Sequence, residues 1–173
     1  NKNPAFEYCE ARCWMAFKDG KPVGRIAGII NHKYIEKWGK KYARFGWLDF
    51  IDDEEVSKAL LGTVESWARE KGLDGVHGPL GFCDLDKQGM LIQGFDEKSM
   101  MITLYNYPYY TVHMEVHGYR KDVDWIEYEI KIPYEIPEKI KKINEFVLKR
   151  MNLKVVRCKS AKELLVYADE IFN

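Results

Sequence analysis

The chain has 173 residues, of which 46% are hydrophobic and 31% charged, and its 27 basic and 27 acidic side chains give a formal net charge of zero. This balance argues against a bulk binder of nucleic acid or of anionic membranes, because both need an excess of positive charge. The apolar runs are too short for a membrane span, and no signal-peptide pattern opens the chain. We therefore expect neither nucleic acid nor membrane among the partners.

The cysteines form no CxxC pair, which excludes the common zinc-ribbon and thioredoxin spacings. We interpret all four as reduced thiols, and this favours a cytoplasmic location. The chain begins with Asn1 rather than Met and ends in a helical pattern, which is compatible with a piece of a longer protein.

Two strands joined by a tight turn are predicted near the amino terminus. Residues 10–17 and 22–31 are rich in apolar and aromatic side chains, and Asp19-Gly20 between them is a typical hairpin turn. A third strand is predicted over 45–51, directly before an acidic turn.

A long helix is predicted over 53–71, after that acidic turn. We place Asp52 at its N-cap, with Glu55 completing a capping box, and Gly72 ends it in the left-handed conformation. Apolar side chains recur at helical spacing and predict a buried stripe of Val56, Leu60, Val64 and Trp67. Many α/β proteins bind a phosphate-bearing cofactor where a strand runs into a helix in this way.

The second half of the chain continues the alternation of strands and helices. A short strand ends at Pro79, a helix covers 109–117, and a strand covers 123–132. The order predicts an α/β (mixed α+β) fold with a mixed sheet, in a domain formed by residues 1–132.

Two prolines, Pro133 and Pro137, then bracket a linker. Residues 133–152 are predicted to be this linker and a connecting helix. Residues 153–173 are predicted to be the opening strand, over 153–158, and the opening helix, capped by Ser160, of a second unit that the chain does not complete.

This order of elements resembles the GNAT fold of acyl-CoA-dependent N-acyltransferases. Several stretches also resemble a bacterial family of large proteins with two GNAT-like units in tandem, and the likeness covers about residues 5–130: the matching stretches are 19–27, 77–79, 89–95, 105–110 and 118–121. The resemblance implies acetyl-CoA or another acyl-CoA as cofactor and a small-molecule or peptide amine as acceptor. It also implies a second GNAT-like unit of the same protein as partner.

Two departures from the family pattern concern the cofactor. Where GNAT enzymes have a glycine-rich turn for the pyrophosphate, this chain has Asp52, Asp53, Glu54 and Glu55, which would repel phosphate. Where many of these enzymes have a tyrosine as general acid, this chain has Met114. We therefore expect that this unit does not itself bind acyl-CoA.

Five residues are candidates for a functional site. Asp49 in the third strand and His77 at the end of a strand are weak candidates for a catalytic base, and the alternation groups Asp49 with a partly buried face. Asn106, Tyr109 and Tyr110, at the start of a helix, are candidates for binding substrate.

A metal site is not predicted. His113 and His117 have the i, i+4 spacing of zinc ligands, but the glutamate is in the wrong register and no third ligand is indicated. Two hypotheses about function follow. The chain is either the acceptor-side or supporting half of a tandem acyltransferase, or a non-catalytic module for small molecules or peptides on a degenerate GNAT scaffold.

Overall fold

The computed structural model describes residues 3–101 and 103–172, which fall into two units, 1–127 and 128–173. The first unit contains a four-stranded sheet in the order β1 (Cys9–Lys18), β2 (Lys21–Asn31), β3 (Tyr42–Phe50) and β4 (Gly75–His77). The first three strands are antiparallel, and β3 and β4 are parallel. This confirms the predicted α/β class with a mixed sheet.

The described residues of this unit form three α-helices. They are α1 (His32–Trp38), α2 (Glu54–Glu70) and α3 (Tyr109–Val116). A short 3₁₀ helix, Pro4–Glu7, precedes the sheet. No helix in the described parts of the chain is both long enough and apolar enough to cross a membrane.

The hairpin between β1 and β2 forms as the sequence predicts. Asp19 and Gly20 have φ angles of 51° and 74°, and both central residues of a type I′ turn need such left-handed values. Asp and Gly tolerate this conformation, so the turn and the register of the two strands follow from local sequence.

The core lies between the sheet and α2. The predicted stripe of α2 is buried, and it packs closely on β2 because two glycines face it. A Cβ on Gly24 would lie 2.8 Å from Leu60, and one on Gly28 would lie 2.8 Å from Trp67. Larger residues at these two positions would push the helix away from the sheet.

A β-bulge interrupts β3 near its end. Ala27 is opposite Gly46 while Arg25 is opposite Asp49, so β3 has one more residue than β2 in this interval. Trp47 takes up the extra residue with φ of 45°. After the bulge, the alternation of buried and exposed side chains along β3 is reversed, so the side chain of Phe50 points into the core. The side chain of Asp49 is consequently 65% exposed. The prediction that Asp49 lies on a partly buried face of the strand is therefore wrong.

The start of α2 differs from the prediction by one residue. Asp53, not Asp52, is the N-cap, and its carboxylate accepts hydrogen bonds from the N–H groups of Glu55 and Val56. The predicted capping box is therefore wrong, since Glu55 is only two residues after the cap. Either aspartate is a good N-cap by residue type, and the observed choice leaves Asp52 free for another contact.

Two predicted strands are not formed. Residues 123–132 and 153–158 have no regular structure, and no other described strand pairs with either segment. A strand needs a neighbour for its backbone groups, so alternating side chains alone do not produce one. Both strand predictions are therefore wrong for the described structure.

In the second unit, residues 128–172 form three helices. They are α4 (Glu138–Arg150), α5 (Ala161–Leu165) and α6 (Ala168–Phe172). Ser160 caps α5 as expected, because its hydroxyl accepts a hydrogen bond from the N–H of Glu163. The division of this region into a linker and the start of a second domain stays a prediction.

Candidate functional site

The candidate site lies where the end of β3 and the start of α2 meet one face of α3. Three side chains of α3 point to this junction, those of Tyr109, Tyr110 and His113, and so does the C-cap residue His117. Each makes a hydrogen bond to a group of the junction. The contact between α3 and the junction therefore contains several side-chain hydrogen bonds.

The two tyrosines bind the backbone of Phe50. Tyr109 donates from its hydroxyl to the carbonyl of Phe50 at 2.6 Å, and the N–H of Phe50 donates to the hydroxyl of Tyr110 at 3.3 Å. Tyr110 in turn donates to Oδ1 of Asp49 at 2.8 Å. Burial, and then the hydrogen bond to Asp49, raises the pKa of Tyr110, so that hydroxyl keeps its proton. The structure thus brings three of the predicted site residues together.

Two N–H groups in the first turn of α2 are occupied by an aspartate side chain of the protein itself. The carboxylate of Asp53 accepts from the N–H of Glu55 at 2.9 Å and of Val56 at 3.4 Å, and also contacts the ammonium of Lys18 at 2.6 Å. The hydrogen bond from Lys18 lowers the pKa of Asp53, so the cap is ionised. A phosphate at this helix start would have to displace a carboxylate that already fills the same role.

A chain of hydrogen bonds links α2 to α3 through a buried serine. The hydroxyl of Ser57, which is fully buried, lies 2.7 Å from Nδ1 of His113 and 2.8 Å from Nε2 of His117. On its other side, Nε2 of His113 lies 2.9 Å from Oδ1 of Asp52. Four side chains from three segments therefore form one continuous polar network.

The hydroxyl of Ser57 has a single proton and two acceptors within reach, the carbonyl of Glu54 at 3.0 Å and Nδ1 of His113 at 2.7 Å. Its oxygen can also accept from Nε2 of His117, while Nε2 of His113 donates to Asp52. The side chain of His113 is 8% exposed, whereas that of Asp52 is 68% exposed. The network therefore runs from a buried hydroxyl to a carboxylate in contact with solvent.

The exposed side of the junction carries negative charge. Asp49 and Asp52 are both largely exposed, and burial followed by the charges of Asp52 and Asp49 raises the pKa of Tyr109. The charges of both carboxylates thus act on the same hydroxyl. Arg25 approaches Asp49 only to 3.9 Å and is itself exposed, so it neutralises this side only in part.

Two predicted site residues make their contacts elsewhere. His77 ends β4 with its ring against those of Tyr34 and Tyr42, and its pKa is lowered to about 4, first by burial and then by Arg44. Its Nε2 atom is buried without a hydrogen-bond partner among the described residues. It is therefore a neutral imidazole that solvent does not reach at Nε2.

Asn106 holds the segment before α3 in place by hydrogen bonds to its backbone. Its Oδ1 atom accepts from the N–H of Leu91 at 2.6 Å, and its Nδ2 atom donates to the carbonyls of Leu91 and Tyr107. The buried amide is thus fully used in holding this irregular segment.

Sequence reasoning missed the role of Ser57 and of the two histidines. A serine among the apolar residues of the α2 stripe was the available signal, since a buried hydroxyl needs partners. The i, i+4 pair His113 and His117 supplies those partners. In the part of the chain that the structure describes, no group of three or more His, Cys, Asp or Glu side chains is placed to hold a metal ion.

Comparison with known proteins gives two relatives. The chain is 31% identical over 173 residues to protein YghO of Escherichia coli (strain K12). The aligned region covers 99% of this chain and 44% of that protein. It is 29% identical over 137 residues to the bacterial ceramide synthase of Caulobacter vibrioides. This aligned region covers 79% of the chain and 36% of that protein. The chain thus spans less than half the length of these curated relatives.

The other two comparisons give no match. No family model matches the sequence, and no solved structure matches it. The α/β fold with a mixed sheet is therefore established by the structure itself, whereas its identification as a GNAT fold stays a prediction from the resemblance.

Proposed function

We propose that this chain is the amine-acceptor side of an N-acyltransferase whose remaining parts lie elsewhere in the complete protein. The observation that carries the proposal is the similarity to a bacterial ceramide synthase over 79% of the chain. A ceramide is an amide, so its synthesis joins an acyl group to an amine nitrogen. The resemblance of the sequence to GNAT N-acyltransferases points to the same reaction class, although the strand predicted over 123–132 does not form.

The charge of the junction supports the acceptor side over the cofactor side. Two exposed carboxylates, Asp49 and Asp52, attract an ammonium group, whereas each would repel a nearby phosphate by about 1 kcal/mol even across water. The cap by Asp53 also occupies two of the N–H groups that a pyrophosphate would use, those of Glu55 and Val56. We therefore propose that acyl-CoA is bound by another part of the protein, for which a second GNAT-like unit is the candidate.

Thermal unfolding with and without acyl-CoA tests this division. Acetyl-CoA and a long-chain acyl-CoA are added separately to this chain and to the complete gene product. We expect stabilisation of the complete protein only, by about 2.7 kcal/mol when the ligand is at 100 times its Kd. Amide formation with a long-chain amino alcohol is then followed by mass spectrometry. Failure of both acyl-CoA molecules to stabilise either protein would contradict the proposal.

A second candidate is a non-catalytic module that binds a small molecule or a peptide. Met114, at the position where the resemblance leads us to expect a tyrosine acid, favours this alternative because a thioether cannot donate a proton. The two candidates differ in one result. Binding of an amine to the complete protein without any amide product, in the presence of each acyl-CoA, would favour the binding module.

A further inference from the structure

The network from Ser57 through His113 to Asp52 contains the groups of a serine hydrolase triad in a reversed arrangement. In such a triad the hydroxyl reaches the substrate and the carboxylate is buried behind the histidine. Here the hydroxyl of Ser57 is fully buried, and the carboxylate of Asp52 is 68% exposed. The group that can meet a substrate is therefore the carboxylate, and its chemistry is the acceptance of a proton.

The structure holds Asp52 by one oxygen and leaves the other free. Oδ1 lies 2.9 Å from Nε2 of His113, while Oδ2 makes no hydrogen bond to any described residue. The imidazole is fixed in turn by Ser57 at Nδ1 and by its packing against the rings of Phe50 and Tyr109. A buried ring bonded at both nitrogens has one orientation, so the direction of the free carboxylate oxygen is also restricted.

On the basis of the proposed function, we propose that Asp52 takes up the proton that the acceptor amine loses during acyl transfer, and that His113 and Ser57 position it. The bound ammonium group first releases one proton to solvent, which leaves a neutral amine with a free electron pair. The amine nitrogen then forms a bond to the acyl carbon, and the carbon–sulfur bond of the thioester breaks. The thiolate leaves with the electron pair, and the proton of the nitrogen passes to Oδ2 of Asp52. The resulting carboxylic acid still accepts the hydrogen bond from His113 at Oδ1.

The other titratable groups around Asp52 are compatible with this role. His113 and Tyr109 face it from α3, and Asp49 lies near the same tyrosine hydroxyl from β3. Asp49 adds a second negative charge that attracts an ammonium group. Lys18, a nearby cation of β1, is paired with Asp53 and Glu55.

The test is Asp52→Asn in the complete protein, with Asp53→Asn as the matched control. Asparagine at 52 keeps an oxygen for the N–H of His113, so the fold is retained, but it cannot take a proton. We expect kcat/KM to fall by about 100-fold or more, as for loss of a general base. Asp53→Asn removes the adjacent carboxylate but keeps a good N-cap, so activity should stay within about twofold.

The pH dependence separates proton transfer from a structural role. The acidic limb of the pH profile of kcat/KM should be absent in Asp52→Asn and present in Ser57→Ala. Ser57→Ala should lower kcat by about tenfold with little change in KM, because the carboxylate is less well oriented. Thermal unfolding of each variant checks that the fold is intact.

Each negative result has a distinct meaning. If the wild-type protein is active and Asp52→Asn is as active as Asp53→Asn, the role of Asp52 is overturned. The proposed function is unaffected by that result. Unchanged kcat in Ser57→Ala would overturn the positioning role. A wild-type protein that is inactive with every acyl-CoA and amine tested would overturn the proposed function, and this inference with it.

Discussion

His113 and His77 are both largely enclosed in the first unit, yet their surroundings differ in one respect. His113 has a hydrogen-bond partner at each nitrogen, Ser57 on one side and Asp52 on the other. His77 lies between aromatic rings, and its Nε2 atom is buried with no partner among the described residues. Burial alone favours a neutral imidazole. Burial with partners instead makes an imidazole part of a network that reaches the surface.

Replacing each histidine by phenylalanine tests this comparison most strongly. His113→Phe removes both hydrogen bonds and enlarges a packed side chain, so we expect a loss of about 3 kcal/mol in the free energy of unfolding. His77→Phe removes an unpaired nitrogen and keeps an aromatic ring, so its stability should stay within about 1 kcal/mol of wild type. Urea unfolding at pH 7 measures both. Equal losses in the two variants would show that the partners of His113 contribute nothing to stability.

The sequence was sufficient to predict the elements that depend on local patterns. The hairpin at Asp19-Gly20, the buried stripe of α2 and the extent of α3 all formed as expected, because turn chemistry and helical spacing act over a few residues. Asp49, Tyr109 and Tyr110 were also nominated for the site, and the structure brings them together. Their functional roles stay predictions.

The features that the sequence could not predict depend on distant neighbours. Ser57 and His113 are 56 positions apart, so their contact exists only once α3 packs on α2. The bulge at Trp47 requires the register of β2 to be known. The strands predicted over 123–132 and 153–158 fail for the same reason, since the pairing of a strand is decided by another segment.

The dependence of stability on acidic pH tests the enclosure of His77, the second histidine of the comparison. Its pKa is about 4 in the folded chain and 6.5 in the reference state, so between these values only the unfolded chain binds the proton. Stability should therefore fall as the pH decreases from 6.5 towards 4. We expect about 2 kcal/mol, which is less than the full shift implies because solvent screens a ring that is not completely enclosed.

The matched measurement uses His77→Phe, which shares every other titrating group. The stability difference between wild type and variant is determined by urea unfolding at pH 7 and at pH 4.5. The variant should lose less stability than wild type between the two values. If both proteins lose the same amount, then His77 takes up its proton in the folded state as easily as in the unfolded state, and its enclosure is not as described.

The smallest effects concern the two adjacent aspartates, of which Asp52 bonds His113 and Asp53 caps α2. Asp53→Ala removes the N-cap of α2 and should cost about 1 kcal/mol in stability, while Asp53→Asn should cost only a few tenths. Asp52→Asn keeps an acceptor for His113 and should likewise cost under about 0.5 kcal/mol.

Asp52→Ala distinguishes the two aspartates further. It should remove the partner of His113 without shortening the helix, so circular dichroism should show unchanged helix content. The sequence alone favours Asp52 as the cap, and in that case this variant would shorten the first turn of α2 while Asp53→Ala would not. Such a reversal would show that Asp52 is the N-cap of α2. His113 would then lack its carboxylate partner, which is what distinguishes it from His77. The position of one helix cap thus decides whether the carboxylate of Asp52 is available to His113.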